Sequence, residues 1–415
     1  MNIDLRTARR KIAFAVLCLL LALIYLNWAA RVFVATMLAE AAPDLPRLRW
    51  AIALDPANAK YHDLLGRYLI YNDQAPQGAV SSYTKAVALD PHSARYWLDL
   101  AEAAGAAGRQ AEQAMAADRA IQVDPKTPSV AWEAANLFMA MGNSGAAQEQ
   151  LKTALRDKQY LLPALEMSWQ STHNATDLEA VLPGDAAAWL RSIEFLAAHH
   201  ETAAAEKMWL DLIAKRRPFD PKLAFFYTDY WISEHNGEKA QESWMQLTSI
   251  NRSLRSYSTP GNSVLNSGFE EDILNGGLDW RYAVTPGVAT SLDTEEVHSG
   301  RRALSITFNA ATTANAGIWQ VVPVEPNAKY QLSAYWKCKD ISSANGPRLE
   351  VYDMDADVPL LLMPEVLGTT SWVHATGQFV TGVRTTLVRL EIVRTSGTTH
   401  INGKFWLDDM SLVRQ

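Results

Sequence analysis

Asp-Pro recurs at residues 55–56, 90–91 and 124–125, closing the stretches ALDP, ALDP and QVDP. The three aspartates stand 35 and 34 residues apart, with helix-forming residues between them. A fixed period of about 34 residues confines the chain to stacked helix–turn–helix units, because one hairpin alone cannot bury its apolar face. Each Asp-Pro also has a local meaning. The residue before proline leaves the helical region, and proline is tolerated where the next helix starts.

In register with the aspartates, position 8 holds His62, Trp97 and Ala131, position 11 holds Leu65 and Leu100, and position 12 holds Gly66, Ala101 and Ala135. Gly108 and Gly142 fall between paired helices, and Ala86, Ala120 and Ala154 fall where a second helix packs. This combination resembles tetratricopeptide (TPR) repeats, with the family's tryptophan present only at Trp97. Asp185 and Asp220 are again 35 apart, and two further hairpins follow them, while residues 158–184 are irregular and read as a degenerate repeat. The resemblance implies an all-α solenoid over residues 43–255 whose concave groove binds partner proteins. Tyr96, Trp97, Trp132, Trp209, Trp231 and Trp244 read as inter-helix core. Lys215-Arg216-Arg217 reads as a helix C-terminus complementing the dipole, and His199-His200 as a solvated helix end.

Residues 12–30, IAFAVLCLLLALIYLNWAA, carry no charge and follow Arg6, Arg9, Arg10 and Lys11. Nineteen residues at about 1.5 Å each match a hydrocarbon core of about 30 Å. Tyr25 and Trp28 sit where aromatic rings favour the interface, and the basic residues of the 1–11 tail place it in the cytoplasm. The reading is a single-pass anchor in a bacterial inner membrane, with the bulk of the chain beyond it in the periplasm. The competing reading is a signal peptide cleaved at Ala39-Glu40-Ala41. The apolar run is longer than a usual signal core, and Pro43 follows that site closely.

A net charge of −7 and a pI near 5.8 exclude nucleic acid as the main partner, since phosphate binding needs clustered lysine and arginine. Cys18 and Cys338 are the only cysteines, too far apart in sequence to imply a disulfide framework.

After SLRSYSTPGNS (253–263) the texture changes. RALSITF, GIWQVVPV, KYQLSAYWKC, RLEVYD, WVHATGQFV, TLVRLEIVR and KFWLDDMSLV read as strands separated by glycine, proline, asparagine and serine. Seven strands at this density predict an antiparallel all-β sandwich or jelly roll over residues 260–415. The whole is therefore expected to be multidomain: transmembrane helix, all-α solenoid, β-sandwich.

The order NSGFEE (266–271), LDW (278–280), HSGRRALSI (298–306), WQVVPVEPNAKYQLSAYWK (319–337) and FWLDDMSL (405–412) resembles the carbohydrate-binding-module jelly rolls appended to bacterial glycanases. That resemblance implies a structural calcium where the first and last segments meet, held by Glu270, Asp408 and the Gly300 carbonyl, with Glu271 or Glu296 as further candidates. Calcium takes six to eight hard oxygens, which carboxylates and carbonyls supply. Strict alternation places Trp406, Asp408, Met410 and Leu412 on one face and turns Asp409 to the other. By the same rule Tyr335, Arg348, Glu350, Tyr352, Arg389 and Glu391 point outward, and if their strands are neighbours they form one surface for a polysaccharide. Trp280, Trp319, Trp372 and Trp406 are expected in the core.

Anchor, repeats and sandwich account for almost every residue. The expectation is a non-enzymatic envelope scaffold in exopolysaccharide or surface-glycan assembly. The alternatives are a glycan-active enzyme, which needs two carboxylates flanking a cleft, and a surface adhesin or structural subunit.

Overall fold

The computed structural model describes residues 8–40, 44–216, 218–395 and 398–415. Much of the 1–11 tail, Ala41 and Pro43 of the signal-peptide reading, and Arg217 lie outside the described residues. The chain divides into two compact units, residues 1–183 and 184–415.

The first unit is helical. Helix α1 (Ala8–Glu40) is long and apolar enough to cross a membrane, and its side chains are exposed through residue 28. It runs on past the uncharged stretch, and its last turns pack. Ala35 and Ala39 are buried with Leu48 and Ala51 of α2 (Leu45–Leu54) and with Tyr61 of α3 (Ala59–Tyr71). Thr36 Oγ1 lies 2.9 Å from the Tyr61 hydroxyl, and Lys60 Nζ donates to Glu40 at 2.7 Å.

Beyond α2, helices pair in sequence: α3 with α4 (Pro76–Leu89), α5 (Ala94–Ala106) with α6 (Gln110–Val123), and α7 (Pro128–Ala140) with α8 (Ser144–Ala154). Asp55, Asp90 and Asp124 cap the C-termini of α2, α4 and α6, and the next helix opens about three residues after the proline begins the turn. Gly108 and Gly142 follow the ends of α5 and α7 at φ +73° and +74°, the left-handed conformation that terminates a helix. At Gly66 a Cβ would stand 2.7 Å from the Tyr83 ring, so α3 and α4 approach only because that side chain is missing. Residues 158–183, irregular in sequence, form a 3-10 turn (Lys158–Tyr160), α9 (Leu161–Thr172) and the short α10 (Ala175–Val181).

An unforeseen polar ladder runs through these pairs. Arg67 bridges Asp63 (3.2 Å) and Asp99 (3.1 Å), and Arg95 bridges Asp99 and Glu133 (each 2.7 Å). Burial, and then the neighbouring Asp99, push Asp63 up to about 7.

The second unit opens with α11 (Ala186–Ala198), α12 (Thr202–Ala214), α13 (Phe225–Ser233) and α14 (Gly237–Ile250). Among the described residues ten strands follow: β1 (Arg281–Tyr282), β2 (Val288–Asp293), β3 (Ala303–Ala311), β4 (Asn315–Pro323), β5 (Lys329–Ser342), β6 (Arg348–Asp353), β7 (Val358–Leu362), β8 (Gly368–Val380), β9 (Leu387–Val393) and β10 (Ile401–Arg414). They form two antiparallel five-stranded sheets. The front sheet has the order β1-β4-β9-β6-β7, the back sheet β2-β3-β10-β5-β8. Phe269, Trp280, Ile306, Ile318, Leu332, Trp336, Val351, Leu390, Phe405 and Leu407 fill the space between them.

Secondary structure changes near residue 258, yet packing crosses that point. Asp229 of α13 pairs with Arg281 of β1, and the rings of Phe225 and Trp244 lie where Cβ atoms on Gly276 and Gly277 would stand. At the other end of the hairpin His235 Nδ1 is 2.9 Å from Asp355, and Thr386 Oγ1 donates to the His235 carbonyl at 3.0 Å. Trp209, Trp231 and Trp244 are buried, as expected of helix core, while Tyr96, Trp97 and Trp132 are half-buried against their clusters.

Candidate functional site

On the front sheet, alternation and pairing together define the outward face. Trp319 of β4 stands between Arg281 of β1 and Glu391 of β9, and Glu391 stands opposite Glu350 of β6. The next row is Val321, Arg389 and Tyr352. Directly paired residues share a face with Cβ atoms about 5 Å apart, so these side chains form one continuous floor. Arg348 lies farther along it, bonded to Glu365 at 3.1 Å.

The charges on this floor are unevenly satisfied. Glu391, 3% exposed, accepts from Arg389 Nε at 2.9 Å and from the Asn315 amide. Arg389 in turn lies over the Tyr352 ring, 5.0 Å from its centroid, while the Tyr352 hydroxyl donates to Asp357 at 2.7 Å. Glu350 faces Glu391 with no hydrogen-bond donor among the described residues, and burial followed by that neighbouring carboxylate raises its pKa. Like charges directly opposed across strands destabilise a sheet. A half-buried indole, with an acceptor that lacks a donor two strands away in the same row, is suited to a flat, hydroxyl-rich ligand, which offers a ring face to one and O–H groups to the other.

Three sequence expectations change here. Trp319 is not core: it is half-buried and on the outer face. Nor is Trp372, half-buried on the outer face of the back sheet beside His298. Tyr335 does not join the other five residues, because β5 belongs to the back sheet. There Tyr335 is sandwiched in an aromatic stack, His298 at 3.6 Å and His374 at 4.6 Å between ring centroids, with the Trp372 edge 5.6 Å from His298. The proposed surface is therefore two surfaces on opposite sides of the sandwich. Arg348, Glu350, Tyr352, Arg389 and Glu391 do share one.

The LDD segment of β10 is the second place where alternation misleads. Phe405 and Leu407 face the core, and so do Met410 and Leu412, which a strict period of two forbids. The phase shift is a bulge at Asp409, whose φ is +45°, between the pairs Asp408–Tyr335 and Ser411–Ser333. Trp406 and Asp408 thus lie on the outer face of the back sheet, buried under residues 293–302 rather than in the core. Asp409 is not turned away. Its carboxylate meets the same segment, 2.6 Å from His298 Nδ1 and 2.9 Å from Ser299 Oγ.

Asp408 is fully buried. Its Oδ2 accepts from the amides of His298 (2.9 Å) and Ser299 (3.1 Å), and its Oδ1 from the amide of Asp409 (2.8 Å). Burial pushes it up to about 6, against those amides and with the help of the Asp409 charge. Glu270 accepts from the amides of Arg301 (2.7 Å) and Arg302 (3.2 Å). Burial alone would raise its pKa, but these amides and the Arg301 guanidinium carry it below its ordinary value.

Gly300, at φ +66°, sits against Glu270 Oε1 with no room for a Cβ. Glu270 and Asp408 thus both meet the loop that carries Gly300, and carboxylate and carbonyl oxygens are hard donors of the kind calcium takes. Each carboxylate already accepts N–H bonds, so an ion here shares those oxygens with the loop. Among the described residues no group of three or more histidine, cysteine, aspartate or glutamate side chains is placed to hold a metal by itself.

Residues 261–398 match the family described as Carbohydrate binding domain. The C-terminal sandwich is a carbohydrate-binding-module domain. Solved structures similar to parts of this chain include the CBM22-1 xylan-binding domain of Paenibacillus barcinonensis Xyn10C, at 18% identity over 36% of this chain and 91% of that one, TM-score 0.26. TmCBM61 in complex with beta-1,4-galactotriose matches at 18% identity over 37% and 99%, TM-score 0.26. The MamA protein matches at 17% identity over 41% and 94%, TM-score 0.31. No curated protein matches the chain.

Proposed function

We propose that this chain is a non-enzymatic, membrane-anchored scaffold that binds a polysaccharide on the front sheet and partner proteins on its TPR-like helices. The observation that carries the glycan half is the family match over residues 261–398, a domain whose front-sheet floor offers Trp319 and Glu350, which has no hydrogen-bond donor among the described residues. The anchor rests on α1, whose exposed apolar turns continue into helical turns packed on α2 and α3. The setting, exopolysaccharide or surface-glycan assembly at a bacterial inner membrane, follows from combining anchor, helical array and glycan-binding domain. Crosslinked pull-down of the anchored protein from its native cell is expected to recover polysaccharide synthases or exporters, and prey without them would sink the scaffold reading.

In the same proposal a calcium ion at Glu270, Asp408 and the Gly300 carbonyl ties the first and last segments of the sandwich together. The full chain in detergent is expected to melt higher with calcium than with EDTA, with the difference lost in Asp408→Ala. An EDTA melting curve superimposable on the calcium curve would remove the ion from this reading.

One observation favours the enzymatic alternative: Glu350 and Glu391 are adjacent carboxylates, and the pKa of Glu350 is raised. Glycosidic cleavage needs two carboxyl groups flanking one bond, one of them giving up a proton while the other attacks or activates water. These two stand side by side on one floor, and Glu391 is tied to Arg389 and Asn315. Turnover of any bound glycan by the purified chain would decide for the enzyme.

A further inference from the structure

The front-sheet floor is walled by the helical hairpin that precedes the sandwich. Asp229 of α13 holds Arg281, the β1 end of the row that contains Trp319, Glu391 and Glu350. Burial raises the pKa of Asp229, and the Arg281 guanidinium opposes that shift. Along the strands, α14 packs on β4, and Val321 is only 4% exposed although it points outward. The cover is visible in the cleft of about 430 Å³ that α14 makes there, lined by Trp244, Met245, Leu278 and Val321. Farther across the same end, His235 and Gly237 meet Asp355 and Thr386, at the turn after β6 and the start of β9. The hairpin therefore bounds the floor on two sides that meet at a corner, the β1 edge and the Val321–Thr386 strand ends.

An open groove on a sheet face lets a polysaccharide enter and leave, so it reads internal segments. A chain lying across the strands along the Trp319 row runs into α13 at Arg281, and one lying along the strands runs into α14 at Val321. We infer that the front-sheet site takes the terminal residues of a polysaccharide chain, seated against the α13–α14 corner. This rests on the glycan-binding reading above and adds which part of the polymer is recognised.

The test compares soluble β-1,4-xylan and β-1,4-galactan of high chain length with the same preparations partly hydrolysed to about ten times more ends at equal mass. Each is titrated against the full chain in detergent micelles. Because occupancy follows the concentration of binding sites, half-saturation by mass is expected to fall about tenfold on hydrolysis. Half-saturation by mass that stays the same or rises on hydrolysis means internal segments suffice and overturns chain-end recognition while leaving glycan binding intact. Failure to bind these or any member of a wider glycan panel overturns the glycan reading itself, and this inference with it.

Discussion

Replacing Asp408 with alanine is expected to lower the stability of the sandwich by about 3–5 kcal/mol, the largest loss for any single acid at the end of the chain. The side chain has no solvent exposure and accepts from three backbone amides, those of His298, Ser299 and Asp409. Truncation leaves those donors buried without acceptors at about 1–3 kcal/mol each, part of which water entry recovers. For a unit of this size the fall in melting temperature is roughly 10 °C.

Asp409→Ala removes bonds to His298 Nδ1 and Ser299 Oγ from a side chain about a third exposed, so about 1–2 kcal/mol is expected. Equal losses for the two variants would contradict this account of the loop.

The pH dependence follows from the same burial. Asp408 titrates near 6 in the folded chain against an ordinary 3.8, so the folded state holds the proton more tightly. The proton-linked part of its contribution is fully present below about pH 4 and is lost as pH rises through 6. The melting temperature of wild type is expected to fall more steeply over that window than that of Asp408→Ala.

Trp319→Ala is expected to weaken glycan binding by about 10–100-fold, the loss of an aromatic face worth roughly 1.5–3 kcal/mol. Trp319 lies half-buried on the outer row and takes no part in the core between the sheets, so the fold should survive. The control is Tyr335→Ala on the back sheet. Tyr335 is the residue that alternation alone groups with the binding surface, and sheet order removes it. Binding retained in Tyr335→Ala and lost in Trp319→Ala places the ligand on the front sheet. The opposite pattern moves it to the His298–Tyr335–His374 stack and defeats both the proposed site and the wall drawn around it.

The strand's own pattern conceals Trp319. In GIWQVVPV both alternating sets are largely apolar, Ile318 and Val322 on one and Trp319, Val321 and Pro323 on the other, so the pattern does not say which faces in. The second set is apolar because α14 covers Val321, and a helix some 75 residues earlier leaves no mark on the strand's own period. In KYQLSAYWKC the exposure follows the expected alternation residue by residue, because polar Gln331, Ser333 and Lys337 set the phase. At Asp409 alternation fails for another reason. One residue in the left-handed region slips the phase of everything after it, and asparagine or glycine would have flagged that conformation more plainly than aspartate does.

Local features are legible along the chain. The Asp-Pro period set where the first helices end, hydrophobic period and glycine placement marked seven of the ten strands, and an uncharged run of nineteen residues made α1 apolar. These follow from backbone preferences and from side chains a few residues apart. Tertiary structure decided which strands share a sheet, which outward faces are open, and which helices go with the sandwich. Those outcomes depend on pairings such as Asp229 with Arg281 and Glu350 with Glu391. Contacts between residues tens of positions apart form only when long loops close, and no local period records them.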